Sequence, residues 1–453
     1  MSRHRKVCAA VGVVASIAFV MTAASAAQAG CSSPLPLQFK NGKFRIMQFA
    51  DIQDDHDIEP RSIDLMRAAL DTYKPNLVVF SGDNITGGRI SSNGEVKKAL
   101  NNIIKPVEGR KIPWIGTFGN HDEDSKGANG GAVTMGEPEQ YAYYRDFSCN
   151  VNPPSAPGIT GDSNAVVLVY GSAYDPKKPK YAVWVLDTGR YPANPDELAG
   201  QRINARDNTW DHLKIDQVNW YRRRSEGFER TFGEKIPGLM WFHHPTQEFD
   251  FMWNNDFGTG HPTDEDGIDN PVIPPYSEND PAPDTYNRHK IVGERNECVC
   301  TGPFNAGIYA TVRERGDVKG IFVGHDHVNN YHGNYHGVYL GYAASAGFGT
   351  YGLSGAETHR MRGVRVFDID EDTRETFNTY MVLASDLGVC TTQFLDQCNN
   401  SAAMAAAAAP APGEELDGVD LSADLRDPAV AAKLEVKNGR IVGERKNVPS
   451  AGN

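Results

Sequence analysis

This 453-residue chain is missing several features that commonly declare a function. It has no excess of basic charge: 45 Lys and Arg face 58 Asp and Glu, a formal net charge of −13. That leaves no electrostatic footprint for nucleic acid. An acidic surface mainly favours solubility. No G-x-x-x-x-G-K followed by Ser or Thr occurs, and no G-x-S-x-G. Readings as a P-loop nucleotide hydrolase or a serine α/β-hydrolase therefore find no support. Beyond the N-terminal segment no apolar run is long enough to span a bilayer.

The N-terminus reads as a targeting segment, residues 1–29. Arg3, Arg5 and Lys6 precede an Ala/Val-rich stretch from Val7 to about Ala24, and Ala27-Gln28-Ala29 offers a cleavage site. The mature chain is expected to be secreted or extracytoplasmic. Three basic residues fewer than −13 leave it near −16. Ala29-Gly30-Cys31 also resembles the end of a lipobox, with Gln28 where that motif carries leucine, so anchoring at Cys31 is the lesser option. Six cysteines remain: Cys31, Cys149, Cys298, Cys300, Cys390 and Cys398. An even number in an exported chain points to disulfides. Cys390 with Cys398 is the best local pair. Cys298-Val299-Cys300 lacks the second cysteine pair that would favour a metal site.

Residues 30–400 read as one catalytic domain in which short apolar strands alternate with helices. Strands are expected at Phe44–Ile52, Asn76–Ser81, Ile112–Phe118, Ala165–Tyr170, Tyr181–Leu186 and Leu239–Phe242. A further strand ends at Gly324, followed by Val338–Tyr342, Val364–Phe367 and Tyr380–Leu383. Ile63, Leu65, Met66, Ala69 and Leu70 suggest an amphipathic helix. Others are expected from about Ile215 to Phe232 and over Phe304–Arg315. The pattern predicts an α/β protein with sheets covered by helices, not a purely parallel doubly wound fold. Residues 249–302, rich in Pro, Asp and Asn, interrupt it as a long loop. Residues 401–413 read as an Ala/Pro linker. Residues 414–453 read as a polar, poorly ordered tail.

Five strand ends carry ligand-type residues. The first ends in Ala50-Asp51-Ile52-Gln53, the second in Ser81-Gly82-Asp83-Asn84, the third in Gly119-Asn120-His121-Asp122. Later come Phe242-His243-His244-Pro245 and Gly324-His325-Asp326-His327. Residues two apart in extended backbone point to the same side, so His325 and His327 can face one site. Any one of these ends alone is an ordinary turn. Together they suit two cations about 3.5–4 Å apart, which clamp a phosphoryl group. Mixed Asp, Asn and His donors fit Mn, Fe or Zn better than Ca.

The set resembles the calcineurin-like metallophosphoesterase family, whose motifs are D-x-H, G-D-x-x, G-N-H-D/E, H-x-P and G-H-x-H. The likeness runs from about Phe44 to Asp370. Phe80–Ile85, Gly119–Ser125 and Gly316–Val328 are most similar to the branch holding plant "probable inactive" purple acid phosphatases and related fungal phosphatases. The resemblance implies a two-sheet β-sandwich flanked by helices, with the site at one edge. It implies a phosphoric ester hydrolase that uses a metal-bridging hydroxide at a dinuclear site. The expected metals are two divalent or trivalent ions, Mn favoured, with Fe or Zn as options. The expected substrate is a small phosphoester or nucleotide.

Carried over motif by motif, Asp83 bridges the two metals. Asp51, Gln53 and His327 complete the first site, and Asn120, His243 and His325 the second. His243 is chosen over His244 because His243-His244-Pro245 matches H-x-P in register. His121 assists the leaving oxygen, and Asp122 orients His121. Two positions depart from the pattern. Gln53 replaces a histidine, a poorer donor for borderline metals. That raises the alternative of a catalytically silent metal-binding extracellular module. D-x-Q also resembles Mn-dependent ADP-ribose/CDP-alcohol diphosphatases, so the change is compatible with activity. Thr86 stands where purple acid phosphatases carry tyrosine, so no purple colour is expected. His56 is expected in a loop near the pocket. Arg295, Arg360 and Arg362 are expected at the surface, with phosphate binding as the second option.

Overall fold

The computed structural model describes residues 31, 35–86, 88–191, 210–254 and 288–393, with the backbone of 434–437 and 440–444. Residues 1–29, Cys398 and residues 401–413 lie outside these, and with them the targeting segment, the Cys390–Cys398 pairing and the linker. The chain divides into two compact units, Met1–Cys398 and Asn399–Asn453.

The strands of the first unit are β1 (Leu37–Gln38), β2 (Lys43–Phe49), β3 (Leu77–Ser81), β4 (Trp114–Thr117), β5 (Ala165–Tyr170) and β6 (Pro179–Val185). They continue with β7 (Gly238–Trp241), β8 (Val318–Val323), β9 (His332–Tyr335), β10 (Val338–Tyr342), β11 (Gly363–Asp370) and β12 (Asn378–Leu383). One sheet runs β12-β11-β2-β3-β4 and the other β1-β5-β6-β7-β8-β10-β9. β2, β3 and β4 are parallel, as are β6, β7, β8 and β10. The expected two-sheet architecture is therefore present.

Period-two alternation explains the packing. Phe44, Ile46, Leu77, Val79 and Ile115 of one sheet meet Val183, Leu239, Trp241 and Phe322 of the other in a single buried cluster. Their neighbours Met47, Phe49, Val78 and Phe80 point outward, under the helices α1 (Pro60–Tyr73) and α2 (Asn93–Glu108). Met240 and Phe242 point the other way, against Val218, Trp220 and Tyr221 of the helix Ile215–Phe232. α1 begins with Pro60 and ends at Lys74 in a left-handed cap. At α2, Ser92 Oγ accepts from the Glu95 amide at 3.2 Å while Glu95 Oε2 accepts from the Ser91 amide at 2.7 Å.

Several expectations change. α2 and a third helix, α3 (Glu137–Arg145), were not read from the sequence. The helix expected from Phe304 starts at Ile308, because Gly307 caps it at φ 84°. The long loop expected from residue 249 begins inside a helix, Gln247–Trp253, and residues 255–287 lie outside the description. The tail expected to be poorly ordered carries an antiparallel pair, Leu434–Lys437 with Arg440–Glu444. Disulfides join Cys31 to Cys149 and Cys298 to Cys300, and Cys390 is disulfide-bonded.

α3 opens on an unusual carboxyl. Glu137 is buried, and its Oε1 has no hydrogen-bond partner among the described residues. Burial first, then the charges of Asp187, Glu123, Asp122 and Asp162, push its pKa up to about 11. The buried Asp187 carboxyl is the largest of the charges acting on it. A carboxyl with a raised folded pKa holds a proton that the unfolded chain has released. Its presence therefore lowers stability as pH rises above the ordinary glutamate range. Glu137→Gln, which keeps the shape and cannot ionise, should be more stable than wild type at pH 8, by on the order of 1–3 kcal/mol. The difference should vanish near pH 4. Denaturant unfolding at both pH values checks this, and a Gln variant less stable at pH 8 refutes it.

Candidate metal centre

The parallel strands of the two sheets end at a common place. β2 delivers Asp51 and Gln53, β3 delivers Asp83, and β4 delivers Asn120 and His121. From the other sheet β7 delivers His243 and His244, and β8 delivers His325 and His327. Ligands in open α/β sheets collect at such carboxyl ends. Four of these residues hold left-handed backbone: Asp51 at φ 50°, Gln53 at 40°, Asp83 at 47° and His325 at 73°. Such conformations disfavour residues with a Cβ and cluster at functional sites. The glycines of the motifs give room. A Cβ on Gly119 would stand 2.4 Å from Asp83 Oδ1 and 2.5 Å from His243 Nε2, and one on Gly324 would stand 2.5 Å from Asp51 Oδ2.

Two ligand groups result. In His243, His244 and His325, and again in Asp51, Asp83 and His327, one ligand atom from each residue lies within 4.8 Å of the others. All six side chains are buried. Asp83 Oδ2, His244 Nδ1 and His325 Nε2 have no hydrogen-bond partner among the described residues. Buried polar atoms are normally paired, so these orphans call for a ligand. Asp83 lies next to both groups: it belongs to the one with Asp51 and His327, and its Oδ2 is 3.2 Å from His243 Nε2 of the other.

The charge states suit cations. Burial raises the Asp51 pKa to about 8. Burial acts the same way on Asp83, but His243 and His121 outweigh it and hold that carboxyl below its ordinary range. Burial lowers His244 and His327 to about 3 each, and takes His325 well below its ordinary value. Of the four histidines in the two groups, His243 is the one raised, to about 9, because Asp83 and Asp51 overcome its burial. Neutral imidazoles facing carboxylates are the donor forms a divalent metal needs, and a metal would replace the proton on His243. The residues present therefore fit a pair of borderline cations.

Gln53 stands at the first group. Its Oε1 accepts from Thr350 Oγ1 at 2.8 Å, and Thr350 Oγ1 is 3.3 Å from His327 Nδ1. Asn120 Oδ1 is 3.3 Å from His243 Nε2 and 3.1 Å from His244 Nε2. The structure thus brings His244 into the centre beside His243, where the H-x-P register points to His243 alone. Consecutive residues both reach it because the chain leaves β7 after Trp241, so strand alternation no longer holds.

The expected role of Asp122 is not what the structure shows. Asp122 Oδ1 accepts from the amides of Asn84 at 2.8 Å and Ile85 at 3.1 Å, and its Oδ2 from the amide of Gly119 at 2.7 Å. It ties two motif loops together. The His121 ring is held instead by Asp124, whose Oδ2 is 2.5 Å from His121 Nδ1. Arg190 grips Asp124 in turn and donates from Nε to the Asn120 carbonyl at 2.8 Å. Burial lowers the His121 pKa, but Asp124 and Asp83 bring it above the ordinary value.

Two of the arginines expected at the surface are buried. Arg295 pairs with Asp250 at 3.1 Å. Arg362 donates from Nη2 to the carbonyls of Thr350 at 2.8 Å and Tyr351 at 2.5 Å. Arg360 pairs with Glu294 at 2.8 Å. The His56 carbonyl accepts from Asn102 Nδ2 at 3.2 Å, a loop role. Sequence reasoning missed Thr350, Tyr351, Asp124, Arg190, Tyr191 and Trp210. Of these only Asp124, inside Gly119–Ser125, lay in a stretch that drew attention.

Fold and site together define a metallophosphatase-type α/β protein. The calcineurin-like phosphoesterase model matches residues 44–329, and the chain belongs to that family. It is 28% identical over 375 residues to "Probable inactive purple acid phosphatase 29" of Arabidopsis thaliana, covering 75% of this chain and 83% of that one. It is 26% identical over 307 residues to "Phosphatase DCR2" of Saccharomyces cerevisiae, covering 64% of this chain and 45% of that one. Among solved structures, a dimetal phosphatase from Danio rerio shares 14% identity at a TM-score of 0.40, covering 75% of this chain and 98% of that one.

If Asp83 is shared between the two groups, its loss should affect both. After reconstitution with Mn, wild-type protein should carry two ions per chain by elemental analysis, and Asp83→Asn at most one. Two tightly held ions in the variant would remove Asp83 from the bridging position.

Proposed function

We propose that the protein is an exported, metal-dependent phosphoesterase that hydrolyses small phosphate esters at this centre. The observation that supports it most is the pair of buried ligand groups with three orphaned ligand atoms. Two cations held there would supply Lewis acidity toward the phosphoryl oxygens and activate a water for attack. The neutral imidazoles and the ionised Asp83 are ready donors, and binding of the cations would displace the protons of His243 and Asp51. Asn120, fixed by Arg190 at its carbonyl and by Tyr191 Oη at 3.2 Å from its Nδ2, would present its Oδ1 toward the second group. His121 is the proton donor to the leaving alkoxide. Asp124 occupies its Nδ1, so Nε2 carries the transferable proton. Export is supported by the basic-then-apolar N-terminus and by the disulfides.

A second reading is favoured by two observations: Gln53 in place of a histidine, and the word "inactive" in the name of the Arabidopsis relative. On that reading the centre binds metal without turnover. Mn-loaded protein assayed on p-nitrophenyl phosphate, bis-p-nitrophenyl phosphate and nucleotide substrates decides between them. Turnover is expected. No turnover by fully loaded wild type, together with large activity in Gln53→His, establishes the silent module instead.

The pairing of His121 with Asp124 carries its own test. Asp124→Asn should lower kcat by about 10–100-fold, with metal content unchanged. An unaltered kcat would show that Asp124 does not position the proton donor.

A further inference from the structure

The geometry points to a substrate that carries a flat ring on its phosphoester, held against an aromatic rim built around the centre. The inference rests on the phosphoesterase reading of the site and names the substrate class it takes. Among the described residues, five large aromatic side chains are exposed: Tyr174, Tyr191, Phe304, Tyr339 and Tyr351. Two of the five touch candidate ligands, although those ligands are themselves buried.

Tyr351 lies flat on His327, with ring centroids 4.0 Å apart and planes 11° from parallel, yet the residue is 52% exposed. One face is spent on the imidazole while much of the ring stays in solvent. The side chain is held in place. Its Oη donates to Glu297 Oε2 at 2.8 Å, and the buried Arg362 donates to its carbonyl at 2.5 Å. On the side of the other group, the Trp210 ring stands edge-on to His325 at 4.9 Å. Tyr191, 38% exposed, receives a hydrogen bond from Asn120 Nδ2 and carries the Arg190 guanidinium 5.1 Å from its ring centre. The rings therefore flank His325 and His327 from both groups, and the Tyr191 side is also the side of His121, where the leaving group departs.

Exposed aromatics fixed by hydrogen bonds lose little entropy on binding a partner. Against another π surface such rings gain stacked or edge-to-face contact beyond the burial that any apolar group would give. A sugar phosphate or simple alkyl phosphate offers no such surface. An aryl phosphate and a nucleotide both do, and the shared chemistry is an aromatic ring within reach of the phosphoryl group.

Binding is the readout, so that lack of turnover bears on the hydrolase reading and not on this one. Benzylphosphonate and butylphosphonate, whose C–P bonds resist hydrolysis, would be titrated calorimetrically into Mn-loaded protein. Benzylphosphonate should bind about three- to tenfold more tightly. Tyr351→Leu and Trp210→Leu should each reduce that preference, and together abolish it, while Tyr351→Phe keeps it. Equal affinity of the two probes for wild type overturns the proposal, as does a preference that survives the double Leu variant. If a Leu variant loses affinity for both probes, the wild-type comparison and the Phe variant decide alone. Adenosine 5′-monophosphate and ribose 5-phosphate, used in the cold as competitors of benzylphosphonate, then separate the two sources. A nucleotide preference exceeding the benzyl preference assigns a nucleobase, and an equal or smaller one assigns a plain aryl group.

Discussion

The face-to-face packing of the two sheets is the constraint on which the rest depends. No single sheet could build the centre, because Asp51, Gln53, Asp83 and Asn120 come from one and His243, His244, His325 and His327 from the other. The seam between them is aromatic: Trp241 meets Phe367 at 5.2 Å and Phe322 meets Phe367 at 4.5 Å between ring centroids. Close-packed interiors resist sliding, so this seam sets the separation of the two ligand groups. Polar side chains cross it too, and near the site Gln48 makes the most bonds. Gln48 donates to Ser81 Oγ at 2.9 Å and to the Val323 carbonyl at 3.1 Å, and accepts from Trp241 Nε1 at 3.2 Å. That amide links β2, β3, β7 and β8 just before each turns into a motif loop. A buried amide with its bonds made specifies one register and penalises others.

The loops beyond the strands then trade conformational cost for position. Left-handed backbone at Asp51, Gln53, Asp83 and His325 turns each chain sharply back over the sheet edge. Asp122 shows how such turns are kept: one buried carboxylate gathers the amides of Asn84, Ile85 and Gly119. Burial pushes the Asp122 pKa to about 7, so even this organising charge is strained by its surroundings. The concentration of unfavourable terms at one edge marks a functional site more firmly than any one motif does.

The fold was legible where period-two apolar runs were clean. β5 and β10 fall at the expected residues, and so does the helix Ile215–Phe232. α2 was legible in principle, since Val96, Leu100, Ile103, Ile104 and Val107 repeat at helical spacing behind Ser92 and Glu95, yet its polar residues masked the pattern. The ligand residues were legible because each sits within two or three positions of a strand end, where local sequence decides direction. Asp122 and Asp124 show the limit. Both are acidic, both are close to His121 in sequence, and only the path of the turn determines which one faces the ring.

The residues around Gln53 were illegible for a deeper reason. Thr350, Tyr351 and Arg362 lie about three hundred residues further along the chain, on a segment without a motif. Their placement follows from β10 and β11, which carry the chain back across the site. Arg362 is buried with Nε and Nη1 unpaired among the described residues. Burial lowers its pKa to about 10, well above neutrality, so the charge persists. Leaving charged donors unpaired in the interior is costly. That cost is tolerable if the arginine's main task is to pin the carbonyls of Thr350 and Tyr351, and through them the hydroxyl on Gln53 and the ring on His327. Gln53 therefore does not stand as a bare substitution for histidine. It belongs to a second set of contacts, built from the far end of the domain, that fixes the amide oxygen and His327 in one arrangement. A weaker donor held rigidly can serve where a stronger one would be free to move.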